Sequence, residues 1–170
     1  MALKVSVVVG NPRSGSRTRD VGVALVESLL ASQPYDLEVI ELADHVDEIF
    51  DWKSVRVTAL NDLVAASDLA IFASPTYKAT YTGVLKAFLD RYPSEGLSGV
   101  VAIPVHTGAD LGHSMGPTVN LAPLLAELGA VVPGKGFYFV TGDMDDLQRA
   151  AEHAANTYRT NIAAVARLAP

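Results

Sequence analysis

The sequence predicts an α/β fold: a doubly wound parallel sheet of five strands with helices on both faces. Three observations carry this. Almost uninterrupted apolar runs such as residues 4–9 (KVSVVV) and 69–74 (LAIFAS) are what strands covered on both faces require. Segments with apolar residues at helical spacing lie between such runs, so strand and helix alternate along the chain. Glycine, serine, threonine and proline gather where strands give way to helices.

The first strand, residues 4–9, leads through a glycine-serine stretch into a helix carrying Val21, Ala24, Leu25, Ser28 and Leu29 at helical spacing, with Pro34 ending the turn beyond. Residues 37–42 (LEVIEL) alternate like a less buried strand. A loop with His45, Phe50 and Trp52 precedes a second helix at residues 54–66, and residues 69–74 form the third strand. The third helix, residues 81–92, places Val84, Leu85, Phe88 and Leu89 on one face and stops before Pro93 and Gly96. Residues 100–107 (VVAIPVHT) read as a fourth strand in which Pro104 removes one backbone donor. Residues 114–128 suggest a fourth helix, Pro117 and Pro123 notwithstanding, and residues 137–140 a fifth strand. The tail, residues 143–168, is helical, with Met144, Leu147, Ala151, Ala154, Tyr158 and Ile162 in one stripe. Two strand orders satisfy this alternation. Both place a ligand outside the carboxyl ends of the strands where the winding reverses, which directs attention to the loops after strands one, three and four.

Composition narrows the function. A chain of 170 residues, 49% hydrophobic, is expected to form one domain spanning residues 1–170. A net charge of −6 offers no broad basic surface for nucleic acid or anionic lipid, so neither is an expected partner. The absence of cysteine removes disulfides, thiolate metal sites and cysteine nucleophiles. No window reaches the roughly 18 apolar residues of a membrane span, and a soluble, cytoplasmic protein is expected.

The first loop, GNPRSGSRT, sets small residues, hydroxyls and arginine at a helix N-terminus, where backbone amides and the helix dipole favour an anion. Gly10 and Gly15 have P-loop spacing, but Ser16 and Arg17 stand where lysine and Ser or Thr are needed, and no G-x-G-x-x-G is present. A terminal phosphomonoester held by Ser14, Ser16, Arg17 and Thr18 is the simpler fit. The plainer alternative is a turn with a Ser16 or Thr18 helix cap and solvated arginines. In the second loop, SPTYKATYTG, Ser74 and Pro75 leave a strand, Tyr77 and Lys78 project, and Thr80 or Thr82 can cap the next helix. Such a loop can border a flat heterocycle, and equally Tyr77 can be a packed aromatic and Lys78 a solvated charge. The third loop, residues 107–113, contains glycine and so allows close backbone approach; Asp110 cannot compensate an anion, and His113 suits a helix cap. His45, His106 and His153 lack metal-ligand spacing, so no metal is expected, and no G-x-S-x-G elbow appears, which removes the commonest serine hydrolase signal.

The stretches GNPRSGSRT, SPTYKATYTGVLKAFLDR and HTGADLGHS together resemble the NADPH-dependent FMN reductase family of flavodoxin-like fold, over about residues 3 to 140. The likeness is strongest to reductases that supply reduced flavin to two-component monooxygenases. It implies strand order 2-1-3-4-5 and FMN phosphate on Arg13, Ser14, Ser16, Arg17 and Thr18. It also implies an isoalloxazine bordered by Pro75, Thr76, Tyr77 and Lys78, with Thr107, Gly108 and Ala109 near its pyrimidine side. NADPH or NADH would be the hydride donor, no side chain would act as a catalytic group, and a flavin-dependent monooxygenase is the implied partner. Other acceptors, such as quinones, azo dyes or metal oxyanions, and a carrier role without a nicotinamide site, stay open. Asn11 departs from the usual serine, and T-G-A-D replaces T-G-G. The family also implies a homodimer or homotetramer through the helices after strands three and four, where Val84, Leu85, Phe88 and Leu125 look exposed.

Overall fold

The computed structural model describes residues 2–168. Its five strands are β1 (Leu3–Val9), β2 (Tyr35–Glu41), β3 (Leu69–Pro75), β4 (Val101–Gly108) and β5 (Phe137–Val140). They pair in parallel in the order β2-β1-β3-β4-β5, as the resemblance implies. The helices are α1 (Arg17–Leu30), α2 (Val55–Ala65), α3 (Gly83–Leu89), α4 (Ala122–Glu127) and α5 (Leu147–Ala166).

The continuous apolar runs reflect burial on both faces. On β1, Val5, Val7 and Val9 enter the layer beneath α1 and α5, while Val8 enters the layer shared with α2, α3 and α4. β3 divides in the same way, with Ile71 and Ala73 on one side and Ala70 and Phe72 on the other. Helix α1 lies so close to β1 that a β-carbon on Gly22 would stand 2.8 Å from Val7 Cγ1. The stripe read on the last helix is the face that packs: Ala151 and Tyr158 are buried, and Met144, Leu147, Ala154 and Ile162 lie against the same core.

Two details differ from expectation, and the place of Pro104 within the expected strand has a physical reason of its own. Pro104 does sit inside β4, because its missing donor faces β5 before that strand begins. Ala102 N–H bonds Val131 O (2.9 Å) and Thr107 O serves β3, so alternation turns position 104 toward the irregular 132–136 segment. The fourth helix is broken: a π-helical turn, Pro117–Leu121, precedes α4, and Ala122 N–H reaches back to Pro117 O. Pro123 has no amide to give the i−4 carbonyl, and the wider turn absorbs that defect. Finally, Leu85, Phe88 and Leu125 are wholly buried in their own core, so they do not form the exposed face suggested for subunit contact; only Val84 is half-buried.

Arg91 pins the loop between β2 and α2. Its guanidinium donates to Asp51 O (2.8 Å), Thr58 Oγ1 (3.2 Å) and Asn61 Oδ1 (3.2 Å) and lies 5.6 Å from the Trp52 ring centroid.

His106 on β4 is fully buried, edge-on to Tyr81, and among the described residues neither ring nitrogen has a partner. Burial pushes its pKa down to about 4 from an ordinary 6.5. The unfolded chain therefore takes a proton that the folded chain refuses. The resulting stability is complete above pH 6.5 and is lost as pH falls toward 4, by roughly 3 kcal/mol in all. Urea unfolding across this window should show His106→Gln with a pH slope shallower than the parent's by about 1.4 kcal/mol per pH unit.

Candidate functional site

The carboxyl ends of β1, β3 and β4 are tied together before any loop departs. Gly10 N–H donates to Ala73 O (2.7 Å), and Thr76 N–H donates to Thr107 O (2.7 Å). The Thr18 and Thr107 hydroxyls bond each other at 2.8 Å, both residues being almost inaccessible. Thr82 Oγ1 donates to Gly10 O and caps α3 by accepting Leu85 N–H, so Thr82, not Thr80, is the cap. Because α1 leaves to one face and α3 to the other, the first and second loops diverge, which is where the winding rule expects a ligand crevice.

In the first loop, Ser16 is the N-cap of α1; its side chain accepts Arg19 N–H at 3.4 Å, leaving the hydroxyl proton free to donate. The first amides of α1 have no intrahelical acceptor. Arg17 is exposed and reaches across to Thr141 O, just beyond β5, with one N–H (3.2 Å). Arg13 is exposed, its backbone N–H on Asn11 Oδ1 (3.0 Å). Thr18 Oγ1 also accepts from Asn11 Nδ2 (3.2 Å), so this hydroxyl is structural and Thr18 can serve a ligand through its amide. Ser14 faces elsewhere: its hydroxyl donates to Asp44. Gly15, at φ 65°, gives its N–H to both carboxylate oxygens of Glu41, each at 3.0 Å. Arg19 folds back onto Glu41 (3.5 Å) and Asp20 (3.3 Å). Sequence reasoning missed Glu41 and Asp44; the signal was an acidic pair at the carboxyl end of the second strand.

The second loop is held in an unusual backbone. Tyr77 and Thr80 exchange N–H···O=C bonds (2.9 and 3.3 Å) around Lys78 and Ala79, whose φ angles are 51° and 71°. Positive φ at both central positions marks the mirror-image two-residue turn usually given to Asn and Gly. Side-chain-bearing residues there cost on the order of 1 kcal/mol or more each. Asn120 Nδ2, from the π-helical turn, secures it by donating to Ala79 O (3.1 Å). Pro75 is buried, Tyr77 and Lys78 are exposed, and the Thr76 hydroxyl is buried with no partner among the described residues.

In the third loop, a β-carbon on Gly108 would stand 1.9 Å from the Tyr138 hydroxyl, which donates to Asp110 O (2.7 Å). The side-chain space beside Gly108 is taken by Tyr138. Ala109 is exposed; Asp110 closes its own turn by accepting Gly112 N–H (2.8 Å) and carries no anion contact. His113 is exposed beside Leu111, Met115 and Val119.

The loops thus combine helix-terminal donors, a guanidinium, an orphaned hydroxyl and an exposed tyrosine around one crevice. Together with the 2-1-3-4-5 sheet, they define a flavodoxin-like oxidoreductase. The chain belongs to the NADPH-dependent FMN reductase family, whose model matches residues 3–145. It is accordingly an NAD(P)H-dependent FMN reductase, with FMN and a reduced nicotinamide nucleotide as its redox partners. It is 31% identical to an FMN reductase (NADPH) of Pseudomonas putida, the match covering 76% of this chain and 66% of that one. It is 32% identical to an NADH-dependent FMN reductase, SfnF, of Pseudomonas putida, over 80% of this chain and 76% of that one. An apo-form NADH:FMN oxidoreductase (EMOB) superposes with a TM-score of 0.83 at 27% identity, covering 94% of this chain and 89% of the other.

The Thr18–Thr107 hydroxyl pair is the brace between α1 and β4. Thr18→Val should cost about 1 to 3 kcal/mol by leaving the buried Thr107 hydroxyl alone, Thr107→Val should cost less because Asn11 Nδ2 still donates to Thr18 Oγ1, and the double variant should cost less than their sum. Urea unfolding of all four proteins measures this coupling.

Proposed function

We propose that FMN lies across the crevice, its phosphate on the first loop and its ring along the second and third, in a protein that forms one FMN-binding domain. The carrying observation is that the loop before α1 and the strained 77–80 turn leave neighbouring strands at the reversal of winding, tied together by Gly10 N–H on Ala73 O and Thr82 Oγ1 on Gly10 O. The residues fit the group: the amides at the start of α1, the Ser16 hydroxyl and the Arg17 guanidinium make a phosphate donor set, and Thr76 Oγ1 has an unmet bond that a flavin polar atom would satisfy.

In this reading Ser16, Arg17 and the Thr18 amide bind the phosphate, and Arg13 adds exposed positive charge. Ser14 joins them only if it releases Asp44. Pro75, Thr76, Tyr77 and Lys78 border the ring, the left-handed 78–79 backbone aiming the loop's edge. Thr107, Gly108 and Ala109 contribute backbone, since the Thr107 hydroxyl is committed to Thr18. When bound, FMN supplies the redox chemistry, accepting hydride at N5 from the nicotinamide C4. The protein contributes position, on the order of 7 kcal/mol in well-oriented cases, and needs no side-chain nucleophile.

The reading extends to delivery of reduced flavin to a flavin-dependent monooxygenase. The exposed rim of Tyr77, Leu111, Met115 and Val119 supports a docking surface there, or contact between copies in a homodimer or homotetramer. A cytoplasmic setting accords with an acidic chain in which no described helix is long and apolar enough to cross a membrane.

Anaerobic addition of NADPH, then NADH, to protein and FMN should bleach the flavin absorbance with at least one nucleotide. No bleaching with either overturns the reductase reading in favour of an electron carrier. Arg17→Ala should weaken FMN binding about tenfold and leave riboflavin binding unchanged; equal losses would remove Arg17 from the phosphate.

A further inference from the structure

The geometry points to Glu41 and Asp44 as built-in competitors for the flavin phosphate, which make this chain's hold on FMN deliberately loose. The inference rests on the FMN reading above and concerns the same loop. Two donors within residues 13–18 are spent on carboxylates: Gly15 N–H on Glu41 and the Ser14 hydroxyl on Asp44. Glu41 is well suited to compete. Its side chain is only 14% exposed, so solvent screens it poorly, and both of its oxygens share one amide on a left-handed glycine, where an anion would otherwise be drawn.

Neutralisation of Glu41 is incomplete. Arg19 approaches it at 3.5 Å while also holding Asp20 at 3.3 Å, so one guanidinium serves two carboxylates. A phosphate dianion on residues 16–18 then meets three acidic groups, Asp20, Glu41 and Asp44, around the loop that should attract it. It either displaces Glu41 from Gly15 or binds beside a like charge. Both routes weaken FMN and neither touches riboflavin, which has no phosphate. A loop so built suits a flavin that exchanges after each turnover, in contrast to one retained as a prosthetic group.

The test compares dissociation constants of FMN and riboflavin, read by flavin fluorescence quenching, for the full chain and its Glu41→Gln and Asp44→Asn variants, with thermal melting to check folding. Glu41→Gln should tighten FMN by about fivefold to tenfold and leave riboflavin within about twofold, and Asp44→Asn should act in the same direction more weakly. Inorganic phosphate, used as a competitor, should gain affinity in parallel. Weaker FMN binding with unchanged riboflavin would overturn the inference by showing that Glu41 positions the loop. No change, or equal changes for both flavins, would overturn it as well. If the parent protein binds FMN and only the variant effect fails, the flavin reading stands; if the parent binds no FMN, both fall.

Discussion

The site depends on one constraint: parallel strands joined by right-handed crossovers cannot keep their helices on one face once the strand order turns back. With β1 between β2 and β3, the chain moves outward through α1 and returns through α2, so α1 is sent beneath the sheet beside α5 while α3 rises with α2 and α4. The loops before α1 and α3 must diverge, and a crevice follows from topology before any polar residue is chosen. Burial of both faces is the stabilising consequence, and it also places the start of α1 at the crevice edge.

Polar bonds then stop the diverging loops from splaying. The Thr18–Thr107 hydroxyl pair joins α1 to β4, Thr82 joins the start of α3 to the end of β1, and Ser74 accepts Thr82 N–H at 3.0 Å from within β3. These groups are buried, so each is strong while paired and costly when broken. Against this background two of the unmet buried groups among the described residues, both at this edge of the sheet, stand out. His106 lies one residue before Thr107 and is kept neutral by burial, whereas Thr76 belongs to the loop itself, where a ligand could complete it.

What could be read from sequence follows the range of the interactions. Strands, helices and the last helix's packing stripe depend on local periodicity, and they appear where the apolar pattern puts them. The first-loop N-cap at Ser16 was legible for the same reason. Features made by distant partners were not. Tyr138, thirty residues away in the chain, takes the space beside Gly108, a contact that no local pattern announces. The Ser14 contact with Asp44, just beyond β2, has no local signal either, and Leu85, Phe88 and Leu125 looked exposed because helical spacing alone does not tell a second covered face from an open one. The left-handed turn at Lys78 and Ala79 had no local signal, since neither residue favours it; Asn120 contributes one of the tertiary contacts that hold it.

The loop chemistry also makes the proposed anion site compatible with an acidic chain. Net charge matters little at contact distance, where a helix N-terminus, one guanidinium and a few hydroxyls decide the local field. Here that field is divided. Arg19 and the Gly15 amide answer carboxylates from β2 and α1, and Arg17 stretches to a carbonyl beyond β5, so a phosphate competes for donors already bonded within the protein. Those bonds hold the loop close to its binding shape without a ligand, which lowers the ordering cost of association, but each must be matched or surrendered when the phosphate arrives. On the proposed placement of FMN, preorganisation and weak retention would come from the same contacts, a combination suited to a flavin that enters, reacts and leaves.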